Sequence, residues 1–378
     1  MTRLGDLIKP AKVIRCGTNQ YPVLSMTMHD GIMLQSDRFK KSLASVNQSD
    51  YKVVNYGQLA VGFPIDEGVL YIQRVVPSGI MSPAYSVWDV NYDIVDPLYL
   101  ELSLHSPQAM QYYKENLRGT TARRRSIPTD TLLALPLRLP SLEEQRIIAA
   151  VLDKVSGLIA KRRQQLDKLD EIVKAKFVEM FGDPVGNPMG WEKIALGKRC
   201  DIVTGNTPSR ADPENYGNFI EWIKSDNINT PAVLLTEAQE YLSETGFHKC
   251  RFVEAGSLLM TCIAGSINCI GNVAEADRRV AFNQQINAIV PKQDDVLYLY
   301  WLMLLSKPAI HSTINMSLKG ILSKGQLSEM TFPFPPLELQ NQFAVFVKKT
   351  EKTKANISCS LEKLETLKKA LMQEYLVR

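Results

Sequence analysis

Cysteine is scarce in this chain of 378 residues, and its six copies include no CxxC pair. A disulfide framework or a zinc site would need cysteines at close, recurring spacings. We therefore expect free thiols at Cys16, Cys200, Cys250, Cys262, Cys269 and Cys359. The four histidines have no metal-ligand spacing either, so no bound metal is expected.

Long apolar runs are also missing. The most apolar segment, VLYLYWLMLL from Val296 to Leu305, has about half of the 20 residues that a membrane span needs. The start, MTRLGDLIKP, lacks the apolar stretch of a signal peptide. Together these absences predict a soluble, cytoplasmic protein.

Strong net charge and nucleotide-binding motifs are absent too. The net charge of +4 permits nucleic acid as a partner but does not demand it. GSINCIG, from Gly265 to Gly271, lacks the lysine and the spacing of a phosphate-binding loop, which argues against an ATP-driven translocase. The sequence shows no close group of Asp, Glu and Lys residues of the kind that forms a nuclease site. The distribution of carboxylates alone does not exclude a nuclease, however.

The sequence does contain a long internal repeat. PSLEEQRIIAAVLD, which starts at Pro140, is answered by PPLELQNQFAVFV, which starts at Pro335, and the offset is 195 residues. A period of domain size indicates a duplicated unit rather than a solenoid. We therefore predict two copies of a mixed α/β globular domain, each followed by a long helix.

Short β-like runs alternate with helical stretches in both globular parts. They are YPVLSMTM, YKVV and GQLAVGF in the first copy, and FIEWI, GSLLMTCIA and INAIVP in the second. The predicted globular domains cover residues 1–140 and 185–336, and the predicted helical regions cover residues 141–184 and 337–378.

Both helical regions carry a heptad pattern, which is typical of a coiled coil. Polar residues interrupt each seam, but Arg162 of the first copy matches Ile357 of the second, and Lys176 matches Leu371. We therefore predict that the two helices pair within one chain as an antiparallel coiled coil. The predicted pairing residues are Ile148, Leu152, Val155, Leu166, Leu169, Phe343, Val347, Ile357, Leu361 and Leu364.

The limits of the first helix are also readable. Ser141 and Glu144 form the S-x-x-E pattern of a capping box, and GDPVGNPMG after Phe181 predicts an unstructured linker. A helix from Leu142 to Phe181 would be about 60 Å long.

The whole chain resembles the specificity subunits of type I restriction-modification systems. The resemblance rests on the two repeat segments, on the helix end FVEMFGDP with its NPMGW linker, and on TGNTPSRADPENYGNFIEWIKSDNIN. YPVLSMTMHDGI and FNQQINAIVP add to it. It implies two target-recognition domains, each of which reads one half of a split double-stranded DNA sequence.

The resemblance also implies partners. The helices would set the unread spacer and dock two modification subunits, and restriction subunits would join the full complex. S-adenosylmethionine would bind the modification subunit, because this chain has no Asn-Pro-Pro-aromatic motif of an adenine methyltransferase. The chain itself would have no catalytic residues and bind no cofactor. A strut of this length spans roughly 18 base pairs of DNA.

Candidate DNA contacts lie in both domains. Three adjacent arginines in LRGTTARRRSIP cannot share one face of a regular element, which favours a loop against phosphates over a solvated surface loop. In the first domain the candidates are Ser25, Thr27, His29, Arg38, Lys40, Lys41, Arg123, Arg124 and Arg125. In the second they are Asn206, Thr207, Ser209, Arg210, Lys224, Asp226, Asn283, Gln284, Lys319 and Lys324. Asn283 and Gln284 could instead bond their own backbone.

Two other functions remain open on the sequence alone. The chain could be a coiled-coil scaffold with two protein-binding domains, for which the mild net charge is the positive argument. It could also be a self-contained nuclease or methyltransferase with an unrecognised motif. Loss of DNA retention after mutation of the arginine triplet would oppose the scaffold, and turnover by the purified chain would favour an enzyme.

Overall fold

The computed structural model describes residues 2–28, 31–38, 48–118, 125–314 and 320–377. Contacts divide the chain into two compact units. Residues 1–163 and 359–378 form the first unit, and residues 164–358 form the second. Each long helix therefore contributes to both units. The boundaries of separate helical regions at 141–184 and 337–378 stay a prediction.

The first unit combines short helices with one four-stranded sheet and several two-stranded sheets. Its strands are β1 (Thr2–Arg3), β2 (Ile8–Pro10), β3 (Leu24–Met26), β4 (Ile32–Leu34), β5 (Lys52–Asn55), β6 (Leu59–Val61), β7 (Leu70–Ile72), β8 (Ser78–Met81), β9 (Ser86–Val90) and β10 (Pro136–Leu137). Its helices are α1 (Leu4–Leu7), α2 (Gln35–Arg38), α3 (Pro97–Leu104), α4 (Pro107–Glu115), α5 (Thr129–Leu133) and the first part of α6 (Leu142–Phe181). The sheet has the order β2-β9-β6-β7 and is antiparallel.

The second unit contains two four-stranded sheets. Its strands are β11 (Lys193–Ala195), β12 (Cys200–Thr204), β13 (Tyr216–Ile223), β14 (Tyr241–Leu242), β15 (Phe252–Val253), β16 (Ser257–Thr261), β17 (Ile263–Ala264), β18 (Val273–Ala276), β19 (Val280–Phe282), β20 (Ile286–Pro291), β21 (Gly320–Ile321) and β22 (Thr331–Pro333). Its helices are α7 (Leu196–Arg199), α8 (Glu244–His248), α9 (Val296–Ser312), α10 (Lys324–Glu329) and the first part of α11 (Leu337–Met372). The sheets have the orders β12-β20-β16-β18 and β14-β13-β19-β15.

The same topology occurs in both units. The order β2-β9-β6-β7 of the first unit corresponds to β12-β20-β16-β18 of the second, and a one-turn helix precedes the first strand of each sheet. The strand pairs β1–β10 and β11–β22 close each domain just before its long helix begins. Each predicted β-like run contains a strand, so the prediction of a duplicated mixed α/β domain is confirmed.

Both long helices enter the cores of the units. In the first unit, Ile148 and Leu152 of α6 are buried in the same cluster as Met372 and Leu376 near the end of the chain.

All six cysteines are unpaired. Among the residues that the structure describes, no helix combines the length and apolar character needed to cross a membrane.

A buried glutamine fastens each long helix to its domain. Gln145 Oε1 accepts the N–H of Asp96 at 2.8 Å, and its Nε2 donates to Pro140 O at 2.9 Å. Gln340 repeats the arrangement, with Asp295 N at 3.0 Å and Pro335 O at 2.9 Å. Both glutamines are 0% exposed, and the aspartates that they contact cap α3 and α9. The repeat identified in the sequence thus preserves this attachment.

The first long helix has the predicted bounds, but the contacts at its two ends differ from those predicted. Glu144 N–H donates to Ser141 Oγ at 3.3 Å, whereas the Glu144 carboxylate pairs with Arg138 at 3.0 Å. Only one half of the expected capping box therefore forms. The segment after Phe181 is also ordered, because Asn187 Oδ1 accepts the Trp191 N–H at 3.1 Å and Trp191 Nε1 donates to Phe181 O at 3.0 Å. The segment has no helix or strand, as predicted for a linker, but hydrogen bonds hold its turns in place.

Contacts within each unit show that α6 and α11 run antiparallel. In the first unit, Arg163 pairs with Glu365 at 2.7 Å, near the end of the chain. In the second unit, the centroid of the Phe177 ring lies 5.4 Å from that of Phe343, which is near the start of α11. Lys354, a polar interruption of the predicted seam, reaches Asp170 at 2.7 Å.

The predicted pairing residues differ in burial. Those near the start of each helix are buried, and those further along are half-buried: Ile148, Leu152, Val155, Phe343 and Val347 belong to the first group, and Leu166, Leu169, Ile357, Leu361 and Leu364 to the second. Buried members such as Ile148 and Phe343 pack in the globular cores rather than only between helices. The hydrophobic effect therefore joins each helix to a domain as well as to the other helix.

We expect Gln340→Leu to destabilise the second unit. The substitution leaves the Asp295 N–H and the Pro335 carbonyl oxygen without the partner that they have in the structure. Each such group costs about 1–3 kcal/mol, which corresponds to a transition lower by roughly 5–10 °C. Thermal unfolding of the full chain measures this. The control is Gln342→Leu at an exposed position of the same helix, and an equal decrease for both variants would contradict the prediction.

Candidate nucleic-acid interface

The predicted contacts of the first domain are only partly visible. Ser25 lies on β3, and the Thr27 N–H donates to Gly31 O at 2.9 Å with its side chain buried. Arg38 is the last residue of α2. His29, Lys40, Lys41, Arg123 and Arg124, together with Lys319 of the second domain, lie outside the described residues.

Arg125 is held by two carboxylates. Its guanidinium pairs with Asp66 at 2.6 Å and with Glu67 at 2.5 Å, and its side chain is 26% exposed. Its backbone carbonyl also accepts the Ile65 N–H at 3.3 Å. These contacts attach Arg125 to the segment Ile65–Glu67 of the first domain. Its contact with DNA stays a prediction.

In the second domain a loop from Gly205 to Arg210 leaves β12 and passes very close to the end of β19. A Cβ atom on Gly205 would lie 2.2 Å from Asn283 O and 2.4 Å from Phe282 O. Real Cβ atoms do not approach backbone oxygens this closely, so the loop path requires glycine. Steric exclusion of a Cβ atom therefore explains why glycine occupies position 205 in the TGNTPS run.

Two amide side chains predicted as base readers hold the protein's own backbone. Asn206 Oδ1 accepts the Arg251 N–H at 2.8 Å, and its Nδ2 donates to Lys249 O at 2.9 Å. Asn283 is 7% exposed, and its Oδ1 accepts the Gln285 N–H at 3.0 Å. For Asn283 the sequence left this possibility open. Both residues shape the loops, and their base contacts stay predictions.

Other predicted residues of the second domain are exposed. The Thr207 hydroxyl donates to the Gln284 side chain, which brings the Gly205 loop and the turn after β19 together. Thr207 and Gln284 are both exposed, as are Ser209 and Asp226. Their hydroxyl and amide groups have the hydrogen-bonding capacity that base-edge recognition needs. Lys324 is also exposed, at the start of α10.

A cation–aromatic cluster forms beside this loop from Arg210, Tyr216, Trp222, Lys224 and Glu240. The Arg210 guanidinium lies 5.1 Å from the Tyr216 ring centroid and 5.5 Å from that of Trp222. The Lys224 ammonium lies 5.3 Å from the Trp222 centroid. Glu240 accepts from Arg210 at 2.8 Å and also from Lys224. The cluster thus holds two cations against two rings, with one carboxylate between them.

The electrostatics of the cation–aromatic cluster favour ionised Glu240. The hydrogen bond from Lys224, supported by that from Arg210, lowers the pKa of Glu240 from its ordinary value. Its two cations and one anion leave the cluster with a positive charge at neutral pH. A surface of this kind can attract a phosphate group.

The sequence identified part of this cluster. Arg210 and Lys224 were predicted from their residue types, whereas Tyr216 and Trp222 were not, although both occur in the same family-like run. Aromatic residues close to predicted cations were the signal that could have found them. Glu240 gave no such signal, because only the pairing of β13 with β14 brings its segment to this surface.

The second domain matches a known domain family. A family model described as the type I restriction modification DNA specificity domain matches residues 188–366. The HindI specificity subunit of Haemophilus influenzae is 23% identical over 305 residues, which cover 61% of this chain and 65% of that subunit. The MjaVIII specificity subunit of Methanocaldococcus jannaschii is 23% identical over 402 residues, which cover 98% of this chain and 90% of that subunit.

Solved structures share the fold. A chain from a structural study of complex assembly and conformational transition of the type I restriction-modification system has a TM-score of 0.60, at 16% identity, and covers 99% of this chain and 96% of its own. The S subunit of a type I system from M. genitalium has a TM-score of 0.56, at 13% identity, and covers 100% of this chain and 95% of its own.

The repeated domain and its attachment to a long helix define a protein of two mixed α/β domains. The family match lies in the second copy, and the first copy has the same order in its four-stranded sheet. Residues 188–366 thus resemble the type I restriction modification DNA specificity domain, and the curated proteins to which the chain is similar are specificity subunits of type I restriction enzymes.

We expect Gly205→Ala to disturb the loop that carries Thr207 and Arg210. The added methyl group meets two backbone oxygens that cannot rotate away, so either the loop or β19 must move. Overpacking of this kind costs about 1–3 kcal/mol, or roughly 3–8 °C in the unfolding transition. Thermal unfolding and limited proteolysis measure the change. Gly265→Ala is the control because its Cβ would meet open space, and equal behaviour of both variants would contradict the steric argument.

Proposed function

We propose that this chain provides DNA sequence specificity to a type I restriction-modification complex and performs no catalysis itself. The observation that carries the proposal is the occurrence of one domain topology twice, each copy fastened to a long helix by a buried glutamine. Two such domains in one chain suit a DNA target with two separate halves. The names of the curated relatives and of the matching family model support this function.

The second domain would contact DNA through the loop after β12 and its neighbours. Arg210 and Lys224 have the charge that phosphate contacts need, and Thr207 and Gln284 have the donors and acceptors that base edges need. All four lie on surface-exposed or half-buried positions. In the first domain, Ser25, Thr27 and Arg38 remain the proposed contacts among the described residues.

The long helices would bind the modification subunits. In the first unit, Ile147, Val151 and Leu158 of α6 are 59%, 37% and 42% exposed. Their spacing of four and seven residues places them on one face of the helix. An apolar stripe that no described residue covers suits a helix of a partner subunit. We propose two modification subunits, which would bind S-adenosylmethionine, together with restriction subunits in a cytoplasmic complex.

Methylome sequencing tests the proposed function directly. Cells would express this chain with its neighbouring modification subunit, and single-molecule sequencing would identify modified adenines. The expected result is a new bipartite motif with an adenine methylated in each half, because the partner enzyme acts on a flipped base at each half-site. If both subunits are soluble and associated but no motif appears, a coiled-coil scaffold becomes the better interpretation.

The same assay tests the role of helix length. We expect a variant that lacks one heptad at matched positions of α6 and α11 to recognise a spacer shorter by roughly 3 base pairs, since seven helical residues rise about 10 Å. The control is a variant in which the same heptads are replaced by others of equal length. A spacer that is unchanged in the shortened variant would contradict the role of the helices as a ruler.

We expect the double substitution Arg210→Ala, Lys224→Ala to weaken DNA binding. Loss of two phosphate contacts should reduce the salt slope of log affinity by roughly 2 and lower the affinity at least tenfold at 0.1 M salt. Fluorescence anisotropy over a salt series measures both quantities. Arg163→Ala is the control, because Arg163 is an exposed, ion-paired arginine of α6. If both variants bind as tightly as the wild type, these cations do not contact DNA.

A further inference from the structure

Glu240 links the two cations of the cation–aromatic cluster. One carboxylate oxygen accepts from Arg210 at 2.8 Å, and the other accepts from the Lys224 ammonium. The side chains of Arg210, Lys224 and Glu240 are 59%, 33% and 34% exposed. The bridge is therefore accessible from solvent, and an anion that arrives from solution can reach both cations.

A phosphate diester offers these cations the same chemistry as Glu240, namely oxygen acceptors that share one negative charge. The rings of Tyr216 and Trp222 hold the cations through contacts that do not depend on the carboxylate. Because the rings keep Arg210 and Lys224 in place, their N–H groups can exchange one acceptor for another with little movement. Glu240 is half-buried and can turn toward water when it is displaced.

We propose that Glu240 competes with the DNA phosphate backbone for Arg210 and Lys224. In the free protein the carboxylate neutralises part of the positive charge of the cation–aromatic cluster. A phosphate must displace it before the two cations can contact DNA. Glu240 therefore limits the affinity of the second domain for any DNA. Further contacts with DNA must offset the free energy of displacing the carboxylate. This inference rests on the proposed function and extends it.

A different role for Glu240 would have the opposite consequence. If the carboxylate stayed in place on DNA and oriented Arg210 toward a base, its loss would weaken binding. If Glu240 competes with phosphate, its loss strengthens binding. The sign of the change in affinity therefore separates a competitor from a positioning residue.

The test is Glu240→Gln in the full chain, purified with its modification subunit. Glutamine has nearly the same shape, and the backbone bond from Trp222 N–H to the carbonyl of residue 240, at 3.0 Å, does not involve the side chain. Fluorescence anisotropy at 0.1 M salt would use two duplexes, one with the motif found by methylome sequencing and one with that motif scrambled. We expect the variant to bind both duplexes roughly 3- to 10-fold more tightly.

Two further variants make the test specific. Glu254→Gln removes the same charge from the same domain, since Glu254 pairs with Arg279 at 2.7 Å and both side chains are exposed. It should leave the affinity within about twofold of the wild type. Adding Arg210→Ala to Glu240→Gln should abolish most of the gain. An unfolding transition within about 2 °C of the wild type shows that the substitution leaves the fold intact.

The outcomes separate this inference from the proposed function. Unchanged or weaker binding by Glu240→Gln, or an equal gain in Glu254→Gln, overturns the competitor role while the wild type still binds DNA. A wild-type complex that retains neither duplex and methylates no motif overturns the proposed function, and the competitor role with it.

Discussion

The buried amide at the start of each long helix is the interaction on which the architecture depends. A fully buried amide must use both its oxygen and its nitrogen, and the two ends are not interchangeable. Gln145 and Gln340 satisfy both ends with the N–H of a capping aspartate and with the carbonyl of a proline just before the helix. This arrangement fixes the rotation and the starting position of each helix against its own domain. Each helix start is therefore anchored to its domain by the same pair of contacts.

The second unit adds charge to this attachment. Asp294 Oδ1 accepts from Gln340 Nε2 at 2.8 Å, and Arg199 Nε donates to the other oxygen of Asp294 at 2.8 Å. The positions that correspond to Arg199 and Asp294 in the first unit are Leu7 and Val95, both 1% exposed. One copy thus uses apolar packing where the other uses a buried ion pair. A buried pair needs complete hydrogen bonding to repay its desolvation, and the glutamine supplies part of it.

The surface that we propose for DNA recognition consists of loops that the strands of the second domain position. The side chains of Asn206 and Asn283 accept hydrogen bonds from backbone N–H groups, and Gly205 allows the loop to pass close to β19. These residues let Thr207, Arg210 and Gln284 remain exposed. Such support favours binding, because contacts that are already positioned cost less conformational entropy.

The sequence by itself determined the duplication, the mixed α/β class, the bounds of the first long helix and the family resemblance. The first three follow from local patterns and from an offset that is preserved along the chain, and the resemblance rests on sequence motifs; neither needs knowledge of distant contacts. It also identified Arg210, Lys224 and Gln284 as candidates, because residue type alone indicates which side chains can bind phosphates or bases.

Only the tertiary structure decided what each candidate side chain contacts. Arg125 and Asn206 have the right chemistry for DNA but are occupied by Asp66 and by the backbone of Arg251. The role of Glu240 depends on strand pairing, which brings it beside residues that are 16 and 30 positions away in the chain. Hydrogen bonds and ion pairs act over a few ångströms in space, whatever the separation in sequence. The pattern of residue types therefore cannot reveal which partner satisfies a given charge.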